Sequence, residues 1–128
     1  MNLIENKERI FSQVAQAMET ANRTDQVNVI AVTKYVGIDQ AKVLVDTGVR
    51  HIGENRVDKF LEKYQALKDE GLTWHLIGSL QRRKVKEVIN YVDYFHALDS
   101  MKLAQEIQKR ASHPIKCFIQ VNISGEES

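Results

Sequence analysis

The 128 residues hold a single cysteine, Cys117, and a single proline, Pro114. One thiol cannot close an internal disulfide, which excludes the disulfide-stapled secreted domains and agrees with a reducing cytosol. With one proline and six glycines, no linker or low-complexity stretch divides the chain. No run of about 18 apolar residues is present, so no transmembrane helix is expected. The opening MNLIENKERIF carries acidic residues and no apolar core, which excludes a signal peptide. Neither charge sign is in excess: 18 Lys and Arg face 17 Asp and Glu, a net charge of +1. That balance gives no whole-chain attraction to nucleic acid or to an anionic membrane. A hydrophobic fraction of 43% excludes a disordered tail and suffices for one domain with a core.

What is present is an alternation of patterns. Leu3, Ile10, Phe11, Val14, Met18 and Ala21 are mostly three or four apart and predict a leading amphipathic helix. Asn22 to Asp25 breaks it, and Val27 to Val32 follows as a β-branched run that reads as a strand buried on both faces. The plan then repeats. Helices are predicted over Ile38 to Asp46, Val57 to Leu67, Arg82 to Val92 and Leu98 to Ala111. Strands are predicted over Arg50 to Glu54, Thr73 to Ile77, Tyr94 to Ala97 (weakly) and Lys116 to Ile123. Gly48 and Gly71 stop the first two of these helices, and His113-Pro114 breaks the last.

Strands alternating with helices imply parallel βαβ units with right-handed crossovers, either in a doubly wound open sheet or in a (β/α)8 barrel. No G-x-G-x-x-G turn and no phosphate-binding P-loop follows any strand, which argues against the nucleotide-binding open sheet. The chain ends just after its most apolar strand, whereas a complete barrel takes about 250 residues. The expectation is therefore that residues 1–128 are the N-terminal part of a single barrel domain whose remainder lies outside this sequence.

Several residues could carry chemistry. Lys34 closes an apolar strand, at the carboxyl end where α/β proteins place their sites. Were it to point inward with Ile30 and Val32, partial desolvation would favour the neutral amine that attacks aldehydes; the plainer reading is a strand-end lysine reaching for water. Glu54-Asn55 and Asn122 end the second and fifth strands and put further polar groups at the same rim. His51, His75 and His96 fall in successive strands and invite a metal reading, but without H-x-H or H-E-x-x-H spacing structural roles are expected. The basic stretch Gly78 to Lys86, with Arg82, Arg83, Lys84 and Lys86, opens a helix and could hold an anion or touch RNA; otherwise it is a solvated face. Cys117 lies in an apolar strand and reads as core.

Four motifs occur in order: Ala31-Val32-Thr33-Lys34, Gly53-Glu54-Asn55-Arg56, Trp74 to Gln81 with Lys84 and Lys86, and Gln120 to Ser128. Together they closely resemble the pyridoxal phosphate homeostasis protein family, whose barrel is similar to the N-terminal domain of alanine racemase. The resemblance implies a TIM-type (β/α)8 barrel of fold-type III, here reduced to the leading helix and about the first five strands with four helices. It implies pyridoxal 5′-phosphate (PLP) held as an internal aldimine, a Schiff base on Lys34, with Asn55 beside the cofactor. Ser79, at the Gly-Ser entry to the basic helix, and Asn122, at the end of the fifth strand, join the cofactor-binding set by position, and no catalytic residue or metal ligand is assigned. Such proteins resemble racemases without the second domain and its tyrosine. They are regarded as cytoplasmic carriers or regulators in vitamin B6 and amino-acid homeostasis rather than enzymes. A racemase-like or other Schiff-base enzyme using Lys34 is the alternative. Neither a membrane nor a nucleic acid is expected as partner. The family's phosphate-binding segment belongs to the part of the barrel beyond these 128 residues.

Overall fold

The computed structural model describes residues 2–121 and 123. Its elements are α1 (Leu3–Thr20), β1 (Ile30–Val32), α2 (Ile38–Asp46), β2 (His51–Glu54), α3 (Val57–Leu67), β3 (Thr73–Leu76), α4 (Val85–Val88), β4 (Tyr94–Leu98), α5 (Met101–Arg110) and β5 (Lys116–Ile119). The five strands form one parallel sheet in the order β1-β2-β3-β4-β5. A doubly wound sheet reverses its strand order at a switch point. Here each crossover advances in the same direction, as in a barrel, so the open-sheet alternative is set aside.

Side chains alternate between the two faces of a strand. Ile52, Trp74, Leu76, Phe95 and Ala97 point into the helix layer and are buried with Ala41, Leu44, Phe60, Leu67, Val85, Leu103 and Ile107. Phe60 and Trp74 meet edge to face at 5.6 Å, and truncating a core aromatic of this kind costs about 3–5 kcal/mol. The opposite face carries Ile30, Gly53, His75, His96 and Phe118. A Cβ on Gly53 would come within 3.0 Å of Ile30 Cγ2, so glycine lets β1 and β2 lie close on that face.

Several expectations need correction. The first strand is Ile30–Val32 rather than Val27 to Val32, because β2 begins at His51 opposite Ile30 and, among the described residues, no strand pairs with residues 27–29. It is not buried on both faces: it is a sheet edge, and Val32 is 49% exposed. The fifth strand stops at Ile119, whose partner Leu98 ends β4; Asn122 lies outside the described residues. The predicted helix Arg82 to Val92 is one α-turn between two 3-10 turns, Arg82–Lys84 and Ile89–Tyr91. Three cations in its first turn oppose the helix dipole, and β-branched residues stiffen the rest. The last helix starts at Met101, not Leu98. Ser100 caps it by accepting from Leu103 N at 3.2 Å, which frees Leu98 for β4.

Candidate functional site at the carboxyl ends of the first three strands

The ends of β1, β2 and β3 are held level by backbone bonds that continue past the ladders. Thr33 N donates to Gly53 O at 3.0 Å, and Ile77 N donates to Glu54 O at 2.9 Å. This brings Lys34, Asn55 and the Gly78-Ser79 turn to one rim. The fit is close at one point: a Cβ on Gly78 would overlap the carbonyl oxygen of Asn55 and sit 2.9 Å from its Cβ. Glycine at 78 is thus what lets the turn after β3 rest on the backbone of Asn55.

Lys34 lies just beyond β1, on the opposite side of the chain from Thr33. It is exposed, with Nζ 4.9 Å from the centre of the Tyr35 ring. Among the described residues β1 is the sheet edge, and Lys34 follows the plainer reading of a strand-end lysine reaching for water. Asn55 is half-buried and Ser79 exposed. Glu54 does not face a ligand. Strand alternation turns it to the helix side, where it is fully buried and pairs with Lys63 of α3 at 2.8 Å. Thr33 Oγ1 donates to the same Glu54 Oε2 at 2.5 Å, and Lys63 Nζ donates to Thr33 O at 2.9 Å. Sequence reasoning passed over Lys63. Its signal was a cation on the apolar face of α3, between Phe60 and Leu67 at helical spacing.

The histidines come together more closely than their strand positions suggested. His51 Nδ1 and His75 Nε2 are hydrogen-bonded at 3.0 Å, and His75 Nδ1 and His96 Nε2 at 2.9 Å. Tyr94 stacks on His75 at 4.7 Å, and Phe118 lies 4.8 Å from His96. His75 thus spends both ring nitrogens, and His51 and His96 one each, within the row. Among the described residues no group of three or more His, Cys, Asp and Glu is placed to hold a metal. Burial pushes the His75 pKa down to about 4, with help from the neighbouring His96 and His51, and burial lowers His51 and His96 as well. Arg82, Arg83 and Lys86 are exposed on the broken helix, which as a single turn offers no extended helix end for an anion. Cys117 is half-buried, and burial raises its thiol pKa, the opposite of what a nucleophile needs. Among the described residues, no helix is long and apolar enough to cross a membrane.

No family model matches the chain. Among curated proteins, the pyridoxal phosphate homeostasis protein of Aquifex aeolicus is 39% identical over 132 residues, covering 100% of this chain and 58% of the relative. The Escherichia coli protein of the same name is 28% identical over 99% of this chain and 57% of the relative. The chain thus spans just over half the length of these curated relatives. Among solved structures, a protein of unknown function from Bifidobacterium adolescentis matches with a TM-score of 0.82 at 34% identity, over 94% of this chain and 55% of its own. PipY of Synechococcus elongatus, solved with PLP bound, matches with a TM-score of 0.61 at 30% identity, over 74% of this chain and 46% of its own. The resemblance drawn from the four motifs stands, and so does the α/β fold it implied.

Proposed function

We propose, from this kinship with the pyridoxal phosphate homeostasis proteins, that the chain is the N-terminal part of a single PLP-binding (β/α)8 barrel that holds PLP on Lys34. Its role on this reading is that of a cytosolic carrier or regulator in vitamin B6 and amino-acid homeostasis, without catalytic turnover. The observation that carries it is the rim itself: Lys34, Asn55 and the Gly78 turn meet at the carboxyl ends of adjacent strands, where barrel sites are built. PipY, solved with PLP bound, matches over 74% of this chain.

Lys34, Asn55 and Ser79 would hold PLP at this rim, where the cofactor would supply an aldehyde for a lysine amine. Lys34 Nζ is the amine in place. It is exposed beside an aromatic ring, so its stem is free to swing over the rim. Asn55 stands next along the rim, fixed through the contact of its backbone with Gly78. Its side-chain amide can donate to or accept from a polar ring substituent. Both edges of the sheet, β1 and β5, are open for the remaining strands of a barrel.

Titrating the protein with PLP tests this reading. The visible absorbance band of a lysine-bound PLP should grow with the parent and be absent from Lys34→Ala, while the far-ultraviolet circular dichroism stays the same because an exposed rim lysine carries little packing. An equal band in the variant would move the site to another lysine.

A further inference from the structure

The knot of Thr33, Glu54 and Lys63 takes no part in the rim chemistry, yet it is the most deeply buried charged group of the fold. Glu54 and Lys63 have side-chain exposures of 0% and 4%. Both donors, Lys63 Nζ and Thr33 Oγ1, converge on Glu54 Oε2. Glu54 Oε1 is buried without a hydrogen-bond partner among the described residues. A carboxylate satisfied on one oxygen only is an expensive thing to bury, and a buried ion pair of this quality adds little net stability over apolar side chains of similar size. Cohesion is therefore a poor account of it.

Direction is a better one. Lys63 also donates to the carbonyl of Thr33, and that carbonyl is bonded directly to the backbone nitrogen of Lys34. The peptide between them is planar, so fixing its oxygen sets the direction in which the Lys34 side chain leaves the backbone. Thr33 N is fixed at the same time by Gly53 O at 3.0 Å, and Thr33 Oγ1 by the carboxylate of β2. Among the described residues β1 is an edge strand, and the ion pair holds its end from the helix side, through α3.

We infer that Thr33, Glu54 and Lys63 are positioning residues for Lys34, a buried charged clamp that aims its amine over the rim without touching the cofactor. The inference rests on the proposed role of Lys34 in holding PLP.

The test is a pair of variants read two ways in the full chain. Glu54→Leu with Lys63→Met removes both charges at similar volume. It also leaves no new orphan: Thr33 O keeps Val36 N at 3.2 Å, and Thr33 Oγ1 keeps Gly53 O at 3.5 Å. After incubation with PLP and borohydride, the share of label on Lys34 relative to the exposed Lys59 is measured by peptide mass. The double variant should melt no lower than the parent, yet lose about tenfold in that ratio, the scale of loss expected when a reacting group is misaimed by less than an ångström. Thr33→Val should lose label in the same direction, and Thr33→Ser, which restores the hydroxyl, should regain it; this pair serves if the double variant fails to fold. A folded double variant, or Thr33→Val, that keeps the parent ratio overturns the inference.

If the parent itself shows no preference for Lys34, the reading of Lys34 fails rather than the clamp. The clamp is then judged by amide hydrogen exchange. Exchange at Thr33, whose N–H donates to Gly53 O at 3.0 Å, should quicken about tenfold in the double variant relative to core amides, as a local opening would produce, and unchanged exchange refutes it.

Discussion

His75 is only 3% exposed and shares both ring nitrogens with other imidazoles. Its pKa, about 4 in the fold against 6.5 for a free side chain, means that the unfolded chain binds the proton more tightly. Stability from this residue is complete above about pH 6.5, falls as pH drops toward 4, and levels off below. At about 1.4 kcal/mol per unit the loss is at most about 3–4 kcal/mol, with His51 and His96 adding in the same direction. Melting temperature should fall between pH 7 and pH 4.5, and His75→Phe should flatten that fall; equal slopes would mean that the imidazole ladder does not form. Gly78→Ala should weaken PLP binding about tenfold and cost about 1–3 kcal/mol, the usual range for overpacking, because its methyl meets the Asn55 backbone. Unchanged affinity in a PLP titration of Gly78→Ala would show that the two turns are not in contact. At this scale Lys34 and Asn55 were legible, since strand ends and polar punctuation mark a rim directly. Glu54 was not. Its partner Lys63 comes from another element, and only the two-residue repeat with Ile52 hinted that it faced the helices.

At the scale of elements, the order of strands and helices was readable because each apolar run ends in a turn signal. The boundaries depended on partners the sequence does not display. β1 and β5 begin or end where a neighbouring strand begins or ends, and the helix after β3 fails as an α-helix because Arg82, Arg83 and Lys84 crowd the end of the dipole that disfavours cations. Ser100 shows the opposite case, a single side chain deciding where α5 starts. Ser100→Ala should therefore cost about 1 kcal/mol, read as a shift in the urea midpoint with an unchanged slope. A loss below a few tenths would mean that α5 is held by packing of Leu103 and Ile107 alone.

For the molecule as a whole, helices cover one side of the sheet, and among the described residues β1 and β5 are its edges. Val32 on β1 is 49% exposed, and Phe118 and Ile119 on β5 are 56% and 75% exposed. Such edges pair readily with other chains. The isolated chain should self-associate in sedimentation velocity, and Val32→Lys with Phe118→Lys should shift it toward monomer; a monodisperse parent at high concentration would mean that the edges are already capped. The order of the strands, each beside the next, is what makes a rim of neighbouring strand ends possible, and with it the central claim that Lys34 holds PLP. The most direct measurement is the mass of the proteolytic peptide labelled after incubation with PLP and reduction with borohydride. The account predicts the reduced pyridoxyl phosphate on the peptide containing Lys34, and no such adduct at that position in Lys34→Ala. Label spread evenly over the exposed lysines, with none preferred at Lys34, would contradict it.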